Sequence, residues 1–169
     1  MNRSDLESVA RQLVAEGKGI LAADESSPTI KKRFDTIGVE STEENRRTYR
    51  ELLFTAPDIE KHISGVILFD ETLRQKATNS EPFVGVLESR GILTGIKVDK
   101  GAKPLAGFNG EKITEGLDGL RRRLTEYRER GAKFAKWRAV ITIADNIPTR
   151  FCMDANARAL AHYAALCQE

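Results

Sequence analysis

Short apolar segments alternate with amphipathic segments along most of the chain. Four apolar segments predict β-strands, namely residues 19–24 (GILAAD), 65–70 (GVILFD), 95–99 (GIKVD) and 133–138 (KFAKWR). Their first residues lie 30 to 46 positions apart, which leaves room for a helix and two loops between consecutive strands. Repeated strand–helix units of this kind predict a parallel sheet with helices packed against it. We therefore expect an α/β fold.

Helical periodicity marks four further segments, each with apolar residues on one face. Ser4 with Glu7 and Ser41 with Glu44 have the spacing of a capping box, and Gly131 is placed to end the third helix. No repeat or linker interrupts the pattern, so we expect one domain over residues 1–169. The last helix is expected to run from about Asp154. The apolar positions are Leu6, Val9, Ala10, Leu13 and Val14, then Tyr49, Leu52 and Leu53, then Leu117, Leu120, Leu124 and Tyr127, and finally Leu160, Ala161 and Ala164.

Charged residues cluster towards the ends of the predicted strands. Lys97 and Asp99 alternate with apolar neighbours in the third strand, and Lys136 and Arg138 do so in the fourth. Because side chains alternate between the two faces of a strand, each charged set points to one face. Asp24 ends the first strand in the same way. On an open sheet these charges could simply be solvated, whereas a closed barrel would gather them at its C-terminal mouth, where active sites lie.

Composition narrows the class of protein. The 169 residues include 27 Lys or Arg and 25 Asp or Glu, for a net charge of +2, and 40% are hydrophobic. This balance fits a folded domain and argues against nucleic acid or an anionic membrane as the main partner. No apolar run approaches the roughly 18 residues of a membrane span, and the N-terminus lacks the apolar core of a signal peptide. We expect a cytoplasmic protein.

Cysteine and histidine are scarce. Cys152 and Cys167 would lie about 22 Å apart on one helix, which is too far for a disulfide. The only histidines are His62 and His162, and neither has a metal-ligand pattern. We therefore expect neither a metal nor a cofactor.

The four predicted strands are too few to close into a barrel. Four parallel strands could form a small open sheet, but a barrel of this class needs eight strands. The last predicted helix reaches Glu169 with no stop signal and no further strand. This pattern favours a piece of a larger fold.

Six segments, in the order of the chain, carry a specific pattern: residues 17–26 (GKGILAADES), 41–47 (STEENRR), 65–69 (GVILF), 95–101 (GIKVDKG), 117–120 (LDGL) and 134–138 (FAKWR). Together they resemble class I fructose-bisphosphate aldolases, and the likeness covers nearly all of the chain from about Val14 onward. The resemblance implies a TIM-type (βα)8 barrel, of which this chain would supply the N-terminal half with the first four βα units. It also implies reversible cleavage of fructose 1,6-bisphosphate through a lysine Schiff base, with the Schiff-base lysine outside this chain.

The resemblance also implies roles for the strand-end residues. Asp24 would position and deprotonate the substrate hydroxyl, although a carboxylate here could also cap the next helix. Lys136 matches the family's active-site lysine that is distinct from the Schiff-base lysine. Lys97 and Arg138 match phosphate and substrate contacts, and their alternative is a pair of cations snorkelling from a sheet edge.

Hydroxyls and cations after the first strand suggest a phosphate cradle. Ser26, Thr29 and Arg33 stand around a helix start, although Pro28 departs from the glycine-containing stretch that is usual in the family. Arg46 in STEENRR is a further candidate contact, although an arginine on a helix surface is the more common explanation of such a position. The run Arg121, Arg122 and Arg123 is interpreted as a solvated helix face.

The family resemblance further implies a small-molecule sugar phosphate as the partner and a homo-oligomeric full-length parent. It also implies that the chain alone has little or no activity. A second hypothesis stays open, that of a non-catalytic half-barrel that binds phosphate or serves assembly.

Overall fold

A computed structural model describes residues 3–169, which form an α/β structure. The strands are β1 (Gly19–Ala23), β2 (Ile63–Leu68), β3 (Leu93–Lys97), β4 (Ala102–Pro104), β5 (Lys112–Thr114) and β6 (Phe134–Lys136). The helices are α1 (Arg3–Leu13), α2 (Ser27–Asp35), α3 (Glu43–Phe54), α4 (Ile59–His62), α5 (Asp70–Arg74), α6 (Phe83–Glu88), α7 (Leu120–Glu129) and α8 (Arg150–Gln168).

The main sheet has four parallel strands in the order β1-β2-β3-β6. This confirms the predicted parallel α/β sheet, with each strand beside its neighbour in the series. An antiparallel hairpin of β4 and β5 was not predicted. Its strands have three residues each and carry Lys and Pro rather than an apolar alternation, so they gave no period-2 signal.

The strand boundaries differ from the predicted ones because two glycines lie inside strands rather than at their starts. β2 and β3 each begin two residues earlier than expected, so Gly65 and Gly95 are internal. Both lie under the ring of Phe134, and a Cβ on Gly95 would come within 2.3 Å of that ring. A glycine inside a strand often marks such a close approach. At the other end, Asp70 opens α5 instead of ending β2.

Helix starts also differ from the predictions. Ser4 was predicted to be the N-cap of the first helix, but it lies inside α1. Thr42 rather than Ser41 caps α3, accepting a hydrogen bond from the Asn45 N–H at 3.1 Å. Thr149 caps α8, which therefore begins at Arg150 instead of near Asp154. In α3 and α8 the capping hydroxyl belongs to the residue immediately before the helix, where its oxygen can reach a free backbone N–H.

The two faces of the sheet are buried to different degrees. The outer face carries Leu68 and Ile96, which are fully buried in the core beneath the helices. The inner face carries Ala22, Ile67 and Phe134, together with Ile20, which is 44% exposed. The hydrophobic core therefore lies between the sheet and its outer helices.

Candidate active site

Three predicted site residues lie in one layer at the carboxyl ends of the strands. Lys97 and Lys136 are direct partners in the pairing of β3 with β6. The register of β1 with β2 and of β2 with β3, continued by one residue, brings Asp24 to the same level. Period-2 alternation points all three side chains to the inner face.

Asp24 and Lys136 form an ion pair across the inner face. The Lys136 Nζ donates to both carboxylate oxygens of Asp24, at 2.8 and 2.7 Å. The Asp24 side chain is 8% exposed. In a flat sheet the outer strands would be about 14 Å apart, which is farther than these two side chains span. The ion pair therefore requires a curved sheet with a concave inner face.

Lys97 is held by a residue that was not predicted as part of the site. Its Nζ donates to Asp99 Oδ1, and Asp99 also accepts from the Gly101 N–H at 3.0 Å and from the Arg138 N–H at 3.2 Å. The charge alternation in GIKVD includes Asp99, but nothing in that pattern distinguishes a buried carboxylate from a solvated one.

Arg138 lies just past the end of β6, which stops at Lys136. Its backbone is bonded on both sides, since its carbonyl accepts from Thr114 Oγ1 at 2.8 Å. Its side chain is exposed. β6 therefore contains Lys136 but not Arg138, and the shared direction predicted for the two side chains and the role of Arg138 both stay predictions.

Arg33 reaches the site through the residue that follows Asp24. Arg33 and Arg50 each bond one carboxylate oxygen of Glu25, both at 2.5 Å. Arg50 also donates to the Glu25 carbonyl at 3.2 Å and is 2% exposed. Arg50 was not predicted, because it stands in a polar stretch of α3 with no sign of burial.

The predicted hydroxyls of the cradle lie next to each other. Ser26 is the N-cap of α2, and its Oγ lies 3.1 Å from Thr29 Oγ1. The Ser26 carbonyl accepts from the N–H of Thr29 and of Ile30. These residues and Arg33 thus surround the start of one nine-residue helix.

Arg46 has its guanidinium occupied by other protein groups. It makes two bonds to the Glu71 carboxylate, at 2.7 and 2.6 Å, and one to the Ser41 carbonyl at 2.5 Å. The hydrogen bond to Glu71 raises the pKa of Arg46. Contact with a phosphate would require exchange of these bonds, so that role stays a prediction.

The interpretation of all three arginines of α7 as a solvated face was wrong for Arg123. Arg123 donates to the carbonyls of Val98 and Gly116, at 3.0 and 2.5 Å, and is only partly exposed. Arg121 pairs with Glu169, and Arg122 is exposed. A helix that packs beside a loop uses one position of a charged run to bond the loop carbonyls, which the sequence pattern does not specify.

Residues 3–169 contain neither a metal-ligand cluster nor a membrane-spanning helix. No three His, Cys, Asp or Glu side chains among these residues are grouped to hold a metal ion. None of the helices described is both long and apolar enough to cross a bilayer. Both cysteines lie in α8 as free thiols, and burial raises the pKa of each.

The chain belongs to the class I fructose-bisphosphate aldolase family, whose model matches residues 5–169. It is 60% identical to a probable class 1 fructose-bisphosphate aldolase of Xanthomonas campestris pv. campestris, over 100% of this chain and 51% of that protein. It is 54% identical to fructose-bisphosphate aldolase C of Carassius auratus, over 99% of this chain and 46% of that protein.

A solved structure shares the fold. Fructose-bisphosphate aldolase from Plasmodium falciparum, in a ternary complex with TRAP and a small-molecule inhibitor, matches with a TM-score of 0.94 at 50% identity. The match covers 98% of this chain and 48% of that one. The chain thus spans about half the length of the curated relatives and of the structure that it matches.

Proposed function

We propose that residues 1–169 form one domain, the first four βα units and N-terminal half of a TIM-type (βα)8 barrel, in a class I fructose-bisphosphate aldolase. The full enzyme would cleave fructose 1,6-bisphosphate reversibly to dihydroxyacetone phosphate and glyceraldehyde 3-phosphate in glycolysis and gluconeogenesis. The curvature of the sheet supports a partial barrel, as do its two edges, which are unpaired among residues 3–169.

The observation that carries this proposal is the layer of Asp24, Lys97 and Lys136 at the carboxyl ends of parallel strands. Aldol cleavage requires an amine that turns the ketone into an iminium, a base for the hydroxyl proton, and cations for two phosphates. In our proposal Asp24 accepts the hydroxyl proton, and the ammonium of Lys136 holds that carboxylate in place. The amine that forms the Schiff base belongs to a segment beyond this chain.

The cations around the layer would bind the phosphates. Lys97 and Arg138 lie on the β3 and β6 side, and Arg33 lies on the α2 side. Ser26 and Thr29 would add hydroxyl donors at the start of α2. A guanidinium such as that of Arg33, 58% exposed, can exchange its bond to Glu25 for a phosphate at small cost.

The localisation, the substrate and the oligomeric state follow from the same proposal. We propose a cytoplasmic enzyme that acts on a sugar phosphate and is homo-oligomeric when full length.

Trapping with borohydride tests the proposal. The chain is incubated with dihydroxyacetone phosphate and sodium borohydride, and peptides are mapped by mass spectrometry. We expect no adduct on any lysine, together with protection of Lys97 and Lys136 from amine labelling by fructose 1,6-bisphosphate. An adduct on Lys136 or Lys97 would show that the nucleophile lies in this half and would overturn our assignment.

The second candidate is a non-catalytic half-barrel that binds phosphate or serves assembly. It is favoured by one observation, that the Lys136 Nζ bonds both carboxylate oxygens of Asp24, so in this arrangement the carboxylate that the enzyme would use as a base is already occupied. The reading frame downstream of Glu169 separates the candidates. A continuation with paired glutamates and a lysine-bearing strand supports the enzyme, and its absence supports the module.

A further inference from the structure

The carboxylate of Asp99 is bonded by donors from three parts of the chain. Oδ1 accepts from the Lys97 Nζ at the end of β3 and from the N–H of Gly101 before β4, and Oδ2 accepts from the N–H of Arg138 after β6. The Asp99 side chain is 1% exposed. A carboxylate this deeply buried is stable only when donors or cations meet its oxygens.

A local loop motif does not account for these contacts. The bond from the Gly101 N–H to Asp99 is an Asx turn, a common way of bending a loop. Such a turn needs one carboxylate oxygen and one amide two residues later. The second oxygen here bonds an amide 39 residues away in the chain, and the first also bonds Lys97.

The sheet places two lysine residues side by side. Lys97 and Lys136 are register partners on adjacent strands, whose axes are about 5 Å apart. Like charges on directly opposite residues of neighbouring strands repel each other unless each is compensated. Asp24 compensates Lys136, and Asp99 compensates Lys97. A lysine ammonium has three donors, so the bond to Asp99 leaves donors of Lys97 available for an anion.

The backbone of Arg138 is fixed by the same group. Its N–H is bonded by Asp99 and its carbonyl by Thr114, a residue that is 3% exposed. The exposed guanidinium therefore extends from a backbone that buried side chains hold on both sides.

We infer that Asp99 is a positioning residue, which holds Lys97 and the backbone of Arg138 so that both cations face one anionic ligand. The identity of that ligand as a sugar bisphosphate rests on the proposed function. The positioning itself rests only on the contacts described above.

Competitive acetylation of lysines, read by peptide mass spectrometry on the 169-residue chain, tests the inference. Lys103, which is exposed on the β4–β5 hairpin, sets the rate of a free amine. In the unaltered chain we expect both Lys97 and Lys136 to react much more slowly than Lys103. Labelling of Lys97 as fast as that of Lys103 would overturn the inference, whatever the variants do.

Matched variants distinguish a local effect on Lys97 from a general destabilisation of the fold, which would expose both lysines. D99N is expected to raise the acetylation rate of Lys97 about tenfold or more, because it removes the charge-assisted hydrogen bond between Lys97 and Asp99. The acetylation rate of Lys136 should change by less than about twofold, because its bonds to Asp24 are kept. D24N is expected to produce the opposite pattern, and D99E, which keeps the charge, is expected to restore slow labelling of Lys97. An equal rise at Lys97 and Lys136 in D99N, or no change at Lys97, would contradict the inference.

Amide hydrogen exchange gives a second readout that needs no variant. The N–H of Arg138 lies outside the strand ladder, so its protection depends on Asp99. We expect slow exchange of this amide, and fast exchange would overturn the inference even if D99N does not fold.

Acetylation in the presence of fructose 1,6-bisphosphate separates this inference from the proposed function. If the sugar bisphosphate gives no protection while the effect of D99N on Lys97 persists, the proposed function fails and the positioning role stands.

Discussion

At the scale of single residues, Glu25 shows how burial decides the contribution of an ion pair. One of its carboxylate oxygens bonds Arg50, which is 2% exposed, and the other bonds Arg33, which is 58% exposed. Exposed ion pairs contribute little to stability, whereas removing one partner of a buried pair leaves a charge without compensation. The two arginines thus bond the same acid with different expected consequences.

We predict that Arg50→Met lowers the free energy of unfolding by about 3 kcal/mol, near the lower end for a broken buried pair because Arg33 still bonds Glu25. The matched control Arg33→Met should cost less than about 1 kcal/mol. Urea unfolding followed by circular dichroism measures both. Equal losses in the two variants would show that burial does not govern this cluster.

At the scale of elements, the packing of β6 against β2 and β3 depends on a side chain that lies over glycines. The ring of Phe134 occupies the space where Gly95 and Gly65 have no Cβ. Gly19 of β1, by contrast, has nothing within 4 Å of the position of a Cβ. The same substitution therefore meets very different surroundings at Gly95 and at Gly19.

We predict that Gly95→Ala lowers the free energy of unfolding by about 1–3 kcal/mol, because the new methyl group displaces the Phe134 ring. Gly19→Ala should be neutral or slightly stabilising, since it only restricts the unfolded chain. Thermal and urea unfolding give the measurement. The double variant Gly95→Ala with Phe134→Leu should lose less than the sum of its single variants, and strict additivity would refute this packing argument.

A second contact between elements joins the β4–β5 hairpin to α8. The Glu111 carboxylate, just before β5, accepts from the Thr149 N–H at 2.6 Å and from Thr149 Oγ1 at 2.7 Å. Burial acts to raise the pKa of Glu111, but the hydrogen bonds from Thr149 outweigh it and hold this pKa below its usual value. A negative charge at the start of α8 also suits the helix dipole.

The lowered pKa of Glu111 predicts a pH dependence of stability. Because the carboxylate ionises more readily in the folded state, its stabilisation is present above the unfolded pKa of about 4.3 and is lost as the pH falls below it. Glu111→Gln should therefore flatten the fall in unfolding free energy on acidification, and Thr149→Val should flatten it partly. Urea unfolding at a series of pH values tests this. An unchanged slope in Glu111→Gln would contradict the prediction.

At the scale of the whole molecule, the sheet has two unpaired edges and a partly uncovered inner face. Among the described residues, β1 pairs only with β2 and β6 only with β3. Ile20 is 44% exposed, and Ala22, Ile67 and Phe134 of the inner face are exposed or half-buried. Free strand edges beside apolar surface favour association with another chain.

We predict that the 169-residue chain self-associates at micromolar concentration and shows little or no aldolase activity. Sedimentation velocity and a coupled cleavage assay measure the two properties. Ile20→Lys should weaken the association, because it places a charge on the edge strand. The exposed Val14→Lys, outside the sheet, is the control. A monomer at every concentration, or measurable turnover, would contradict the corresponding part of the prediction.

The sequence by itself determined the parallel α/β sheet, the level of Asp24, Lys97 and Lys136 within it, and the family. These follow from local information, since apolar runs mark buried strands, period-2 alternation fixes the face of each side chain, and family motifs are continuous segments. The β4–β5 hairpin and the exact helix caps were missed, because three-residue strands and neighbouring hydroxyls carry little local signal.

Only the tertiary structure decided which charged residues are buried and which partners they meet. Asp99, Arg50 and Arg123 look like solvated charges in the sequence, yet each is bonded by groups from distant segments. Lys136 reaches Asp24 across 112 positions because the sheet is curved, and Phe134 lies over Gly95 because the pairing of β3 with β6 makes the two residues register partners. Curvature and burial arise from the packing of all the elements together, so no local pattern encodes them.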